Sequence, residues 1–131
     1  LTSANQCCLD ASHYKLAREA RAHRNHFHPT HMKLWVSIGG AGRSAGFLSI
    51  AKSESSRNTF IQHAIALCQN EYLDGVDIDW QQLPSKEDSR IFGKFLVQTA
   101  KALHQEGLLL SVTTRDKLPR KVIAEVDRVP F

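Results

Sequence analysis

The stretch "LDGVDIDWQQLP", residues 73–84, alternates acidic and apolar side chains and then carries a glutamine where a further carboxylate would continue the row. Successive side chains of a strand point to opposite faces of a sheet, so the alternation predicts a strand over "GVDID". Asp77, Asp79 and Gln81 then share one face. The other face carries Val76, Ile78 and Trp80, which can pack against helices. The polar face is therefore expected to line a cleft or the interior of a closed sheet.

Two carboxylates on one face of this strand lie about 7 Å apart. Burial and mutual repulsion both oppose their ionisation, so the pair is costly unless hydrogen bonds or a ligand stabilise it. Asp77 and Asp79 are therefore predicted to belong to a functional site. The alternative, that these aspartates cap loops at the strand end, stays open on the residue pattern alone.

Apolar runs of strand length alternate with amphipathic segments of helix length along the rest of the chain. Helices are predicted over 10–24, 55–72 and 85–107, with Ser56 capping the second and Gly107 ending the third. Strands are predicted over 32–38, 75–79 and 108–114, followed by a short helix over 118–126 and the beginning of a strand over 127–131. This order predicts an α/β fold with a parallel sheet.

The composition is that of an ordinary globular protein, with 42% hydrophobic and 23% charged residues. A length of 131 residues predicts one domain. The net charge of +4 raises the question of nucleic acid, but the basic residues are scattered along helices without interleaved aromatic residues, which argues against such a partner. No apolar run approaches the roughly 20 residues that span a bilayer, so no membrane partner is predicted. The oligomeric state stays open.

The cysteines and the chain start leave the cellular context open. Cys7, Cys8 and Cys68 form an odd set without metal-ligand spacing, so their disulfide state is undetermined. The chain begins with Leu1, and no signal-peptide pattern follows it. Either a leader has been removed or the chain is a piece of a longer one, and both ends look like interior points of a longer fold.

The aspartate pattern resembles a signature of glycoside hydrolase family 18, the chitinases and chitinase-like lectins. That signature, D-x-x-D-x-D-x-E on the fourth barrel strand, is matched by Asp74, Asp77 and Asp79, with Gly75 and Trp80 as common fillers. A second signature, S-x-G-G at the end of the third strand, is matched by Ser37, Gly39 and Gly40 in "LWVSIGG". The distance of about 35 residues between the two motifs fits one helical crossover.

The resemblance implies a (β/α)8 barrel, the TIM-barrel fold, with its site at the carboxyl ends of the strands. Such a barrel needs about 250 residues, so residues 1–131 are expected to form part of one, from roughly the second or third strand to the start of the sixth. The later family motifs, M-x-Y-D on strand six and a tryptophan on strand eight, do not occur in the sequence. The resemblance also implies an extracellular protein, and no cofactor is predicted.

The family mechanism assigns expected roles to the matching positions. In the family, a glutamic acid protonates the leaving glycosidic oxygen, and the substrate's own N-acetyl oxygen attacks the anomeric carbon. By position, Asp79 would orient the acetamido group, Asp77 would be its buried partner near Ser37, and Asp74 would help to fix the strand end. The expected substrate-binding set is Asp74, Trp80, Ser37, Gly39 and Gly40, although strand alternation also predicts that Trp80 packs towards the helices.

Gln81 stands where the resemblance places the glutamic acid. Glutamine has no titratable proton, and losing a general acid typically costs about 10²–10⁴-fold in rate. Its amide can still hydrogen-bond a glycosidic oxygen. The following "QQLP" also departs from the family's "EYP", which favours natural loss of the acid over a laboratory substitution. The sequence thus predicts a chitinase-like pseudoenzyme that binds chitin or chitooligosaccharides. The alternative is an active chitinase with an altered acid position, which hydrolyses beta-1,4-linked N-acetylglucosamine with retention of the anomeric configuration.

Two other patterns suggest different chemistry. Gly40, Gly42 and Gly46 follow a predicted strand and loosely match a dinucleotide loop, but Phe60 stands where an acidic residue is needed, so a tight loop is favoured. A run of histidines lacks cysteine or carboxylate partners in register, so no metal is predicted. These histidines are His23, His26, His28 and His31.

Three residues near the motifs have open roles. Trp35 lies within the strand over 32–38 and is predicted to be a core residue rather than a platform for a ligand. Arg115 and Asp116 follow the strand over 108–114 on the side where barrel sites are built, but they match no family motif.

Overall fold

A parallel three-stranded sheet in the order β1-β2-β3 organises the part of the chain that the computed structural model describes, residues 11–27, 32–81, 85–115, 118 and 120–130. The strands are β1 Trp35–Gly39, β2 Gly75–Asp79 and β3 Leu109–Thr113. The helices are α1 Ala11–Phe27, α2 Phe47–Lys52, α3 Glu54–Glu71, α4 Lys86–Gln105 and α5 Arg120–Asp127. The three strands and the helices α1, α3, α4 and α5 follow one another in the predicted order, and β2 has the predicted bounds. None of the described helices is long and apolar enough to cross a membrane.

The alternation along β2 divides the sheet into a helix-covered face and a polar face. Val76 and Ile78 are fully buried, and they pack in one core with Phe92 and Phe95 of α4. Trp80 extends this core beyond the strand end, with its ring centroid 4.6 Å from that of Phe92. Burying a large apolar side chain contributes about 1.5–3 kcal/mol. The core therefore fixes which way β2 faces, and the acidic positions are turned to the opposite side.

Side-chain caps set the starts of the two long crossover helices. Ser85 begins α4 by accepting a hydrogen bond from the Asp88 N–H at 3.1 Å. Gly107, at φ +70°, follows the end of α4, as predicted. The predicted cap of the preceding helix is wrong by three residues. Ser53 is the cap of α3, and its hydroxyl accepts the N–H of Ser56 at 3.3 Å.

Two elements differ from the sequence prediction. The six-residue helix α2 was not predicted, because so short a segment shows less than two turns of periodicity. The strand start predicted over 127–131 is wrong for the described residues of that range, because Asp127 is the last residue of α5 and the Val129 N–H donates to the Val126 carbonyl at 3.0 Å in a turn. Residue 131 lies outside the described part.

Candidate functional site

The parallel register brings polar residues of all three strands together near the carboxyl-terminal edge of the sheet. Ser37 of β1 and Ser111 of β3 are the register partners of Asp77, one on each side. Gly39 and Thr113 flank Asp79 in the same way. Side chains in register on adjacent parallel strands face the same side, so the two aspartates share their face with three hydroxyls. This face lies opposite the buried core.

Asp77 is held by hydroxyl groups from both neighbouring strands. Ser37 Oγ donates to Asp77 Oδ2 at 2.7 Å, and Ser111 Oγ donates to Oδ1 at 2.7 Å. Thr113 Oγ1 lies 3.1 Å from Oδ1 and 3.2 Å from Oδ2. Hydrogen bonds to a charged acceptor are about twice as strong as those between neutral groups. The carboxylate therefore ties β1, β2 and β3 together at the level of the site.

Asp79 and Gln81 form the outer part of the site. Gln81 Nε2 donates to Asp79 Oδ2 at 3.3 Å. Asp79 Oδ1 is buried, and no residue of the described ranges donates a hydrogen bond to it. A buried acceptor without a partner costs about 1–3 kcal/mol. One carboxylate oxygen of the site is therefore unsatisfied within the described part of the chain.

Two glycines let the loop after β1 approach Asp79. Gly39 and Gly40 have φ values of +114° and +93°, which side chains rarely adopt. A Cβ on Gly39 would lie 2.3 Å from the Asp79 carbonyl oxygen, and one on Gly40 would lie 3.6 Å from Asp79 Oδ2. The Gly40 N–H donates to the Asp79 carbonyl at 2.9 Å. Both glycines thus border the acidic residue, and a direct contact with substrate stays a prediction.

Asp74 lies at the wrong end of β2 for the substrate contact expected of it. It precedes Gly75, whereas Asp79 ends the strand, so the two aspartates are separated by roughly 16 Å of extended chain. Asp74 Oδ2 accepts hydrogen bonds from Arg24 Nη1 and from the Leu34 N–H, each at 2.8 Å. Asp74 therefore anchors the start of the strand and the carboxyl-terminal part of α1, and we remove it from the substrate-binding set.

The two tryptophans lie on opposite faces of the sheet. Trp80 is only 3% exposed and contacts Phe47 and Phe92 on the helix side, so its assignment to the substrate-binding set is wrong. Trp35 was predicted in the core but is 37% exposed. It lies on the same face as Ser37, two residues earlier in β1, and its ring covers Gly75, where a Cβ would come within 2.7 Å of Cζ3. Trp35 thus places an aromatic ring on the polar face of β1.

Comparison with known proteins assigns this arrangement to a family. The model for "Glycosyl hydrolases family 18" matches residues 3–129. The chain belongs to glycosyl hydrolase family 18.

Proteins similar to this family 18 chain include chitinases and a chitinase-like agglutinin. Chitinase 1 of Aphanocladium album is 42% identical over 50 residues, which cover 38% of this chain and 12% of that protein. A Glu→Gln mutant of the class V chitinase from Nicotiana tobaccum, solved in complex with NAG4, matches with a TM-score of 0.73 and 26% identity over 83% of this chain and 33% of its own. The chitinase-like agglutinin RobpsCRA from Robinia pseudoacacia matches with a TM-score of 0.71 and 26% identity over 81% and 34%.

The family 18 chain spans about a third of these solved structures. Its three parallel strands, with helices on one face, are consistent with a part of the barrel. The predicted fold class, a partial α/β chain of the TIM-barrel family, is confirmed.

The family 18 site contains two residues that sequence reasoning missed. Ser111 and Thr113 were read only as part of an apolar strand, yet they supply two of the three hydroxyls on Asp77. Their spacing of two residues in "LLLSVTT" was a signal that they share a face. What the sequence does not contain is the register that sets this face beside Asp77.

The remaining candidates that the structure describes lie outside the site. Within the described ranges, no group of three or more histidine, cysteine or acidic residues could hold a metal ion; His23 and His26 lie on α1, whereas His28 and His31 fall outside those ranges. Arg115 is exposed after β3, and Asp116 is outside the described part, as are Cys7 and Cys8. Cys68 is buried in α3, with its Sγ 3.7 Å from the Gly75 carbonyl oxygen.

Proposed function

We propose that the protein to which this chain belongs binds chitin or chitooligosaccharides without hydrolysing them. The observation that carries the proposal is Gln81, an amide at the position where the family motif has its glutamic acid. An amide has no titratable proton to give to a leaving oxygen. Without a general acid, cleavage is expected to be slower by about 10²–10⁴-fold.

The acidic residues of the site support recognition of an N-acetylated sugar. Asp79 Oδ1 is a buried acceptor without a donor in the described part of the chain. The N–H of an acetamido group would supply that hydrogen bond. Asp77 contributes by its position, because its three hydroxyl donors hold the middle of β2 in place beneath Asp79.

Two relatives support binding without turnover. The tobacco class V chitinase structure is of a Glu→Gln mutant in complex with NAG4. The Robinia protein is a chitinase-like agglutinin. By the same resemblance we propose an extracellular location for this protein.

A second candidate function is chitin hydrolysis by the unmodified protein, with the acid supplied by another group. The observation that favours it is the intact arrangement of Asp77 and Asp79, which retains every other acidic position of the motif. The two functions make opposite predictions for turnover.

The test measures cleavage and binding of chitooligosaccharides by the protein expressed from its complete reading frame. We expect saturable binding of chitopentaose by calorimetry and no cleavage in a chromatographic assay. Gln81→Glu should restore an acid at the motif position, and a further Asp79→Asn exchange in that background is the control that should abolish any activity gained. Turnover by the unmodified protein would overturn the proposal in favour of the second candidate. Absence of binding would exclude both.

A further inference from the structure

The amide of Gln81 is oriented by its neighbour. A carboxylate only accepts hydrogen bonds, so the hydrogen bond to Asp79 Oδ2 requires that Nε2, and not Oε1, faces Asp79. Asp77 does not compete for this N–H, because its own oxygens already take three hydroxyl donors. Gln81 Oε1 is therefore turned away from Asp79, and no residue within the described ranges donates a hydrogen bond to it.

This orientation leaves two groups of Gln81 for a ligand. A primary amide has two N–H donors and one carbonyl acceptor, and one N–H is used by Asp79. The second N–H and the carbonyl oxygen remain for a ligand on this partly exposed side chain. A sugar hydroxyl can both accept and donate, so it can engage both groups. A glycosidic oxygen only accepts, so it would leave Oε1 without a donor once the ligand had displaced water.

We infer that Gln81 makes the site selective for the free end of a sugar chain, where the anomeric oxygen is a hydroxyl, over an internal or capped linkage. This inference rests on the proposed function, since it assumes that the ligand is an N-acetylglucosamine oligomer lying beside Gln81. The selectivity follows from the hydrogen bond to Asp79, which takes one N–H of the amide and turns Oε1 away from that carboxylate.

The experiment compares two tetramers that differ at one oxygen. Chitotetraose with a free reducing end and its methyl β-glycoside are titrated calorimetrically into the protein expressed from its complete reading frame. We expect the capped tetramer to bind at least about tenfold more weakly, which corresponds to about 1.4 kcal/mol. Gln81→Met keeps the length of the side chain but removes both hydrogen-bonding groups. In this variant the two affinities should differ by less than about twofold.

A matched control separates this effect from a general loss of glutamine. Gln69→Met changes an exposed glutamine of α3 whose amide donates to Glu106 at 3.2 Å, on the helix side of the sheet and not beside Asp77 or Asp79. This control should keep the full preference for the free end. Equal affinities in the unmodified protein, or a preference that survives in Gln81→Met, would overturn the inference while leaving the proposed function standing. Cleavage of the free tetramer, or absence of binding to both tetramers, would overturn the proposed function and the inference with it.

Discussion

Removing the Ser111 hydroxyl should weaken the joint between β2 and β3. This hydroxyl donates to Asp77 Oδ1 at 2.7 Å, so Ser111→Ala deletes one of the three donors on the carboxylate. A hydrogen bond to a charged group contributes about 1.5–3 kcal/mol. Because Asp77 and Ser111 are only partly buried, we expect the free energy of unfolding to fall by about 1.5–2 kcal/mol, in the lower part of that range.

A double-mutant cycle isolates this hydrogen bond from the other effects of each substitution. Urea unfolding is measured for the unmodified protein, Ser111→Ala, Asp77→Ala and the double variant. We expect a coupling energy of about 1 kcal/mol or more, within the range found for residues in contact. Ser49→Ala is the matched control, because Ser49 is exposed on α2. It should change stability by no more than about 0.5 kcal/mol.

A coupling energy below about 0.3 kcal/mol would refute the reasoning, since that is the value expected of independent sites. Equal losses for Ser49→Ala and Ser111→Ala would refute it as well. Either result would mean that the carboxylate does not tie the strands together.

Three further predictions concern parts of the fold outside the site. A Cβ on Gly93 would lie 2.8 Å from Val122 Cγ2, so Gly93→Ala should destabilise the α4–α5 contact by about 1–3 kcal/mol. In chemical denaturation, the double variant with Val122→Ala should lose less stability than the sum of the two single losses. Arg24→Ala removes the 2.8 Å ion pair with Asp74 at the amino-terminal end of β2. It should lower the melting temperature but leave oligosaccharide affinity within about twofold. A large loss of affinity would contradict the placement of that end of the strand away from the site. The hydrogen bond from Arg90 holds the pKa of Glu87 below its ordinary value, so Arg90→Ala should raise that pKa in an NMR titration. The contact stabilises the fold above the pKa that Glu87 has in the unfolded chain, and this stabilisation is lost as the pH falls through the pKa of Glu87 in the folded protein. An unchanged titration curve would exclude the interaction.

The elements with strong periodicity could be predicted from the sequence. Both faces of β2 follow from alternation over five residues, and the strand has the predicted bounds. The end of α4 follows from Gly107, whose left-handed conformation suits glycine. The cap of α3 was missed because several serines in "SESS" can each accept from an N–H, and only Ser53 is correctly placed.

The contacts that complete the site depend on register, which a single sequence does not encode. Ser111 is recognisable as a polar residue in a strand, but its bond to Asp77 exists because β2 and β3 pair at these positions. Trp35 shows the opposite case. Its spacing of two from Ser37 placed it on the polar face, but its size and apolar ring suggested the core.

The arrangement of β2 makes folding and turnover separable under mutation. Gln81 follows the strand on the polar side, whereas Trp80 beside it is packed among phenylalanine rings. An exchange at position 81 changes the chemistry of the site without opening the core, while an insertion of one residue would reverse both faces at once. Selection for a stable fold therefore does not preserve a general acid at position 81. A protein with this strand can keep its shape after hydrolysis has been lost, so similarity across the core is a poor guide to turnover among its relatives.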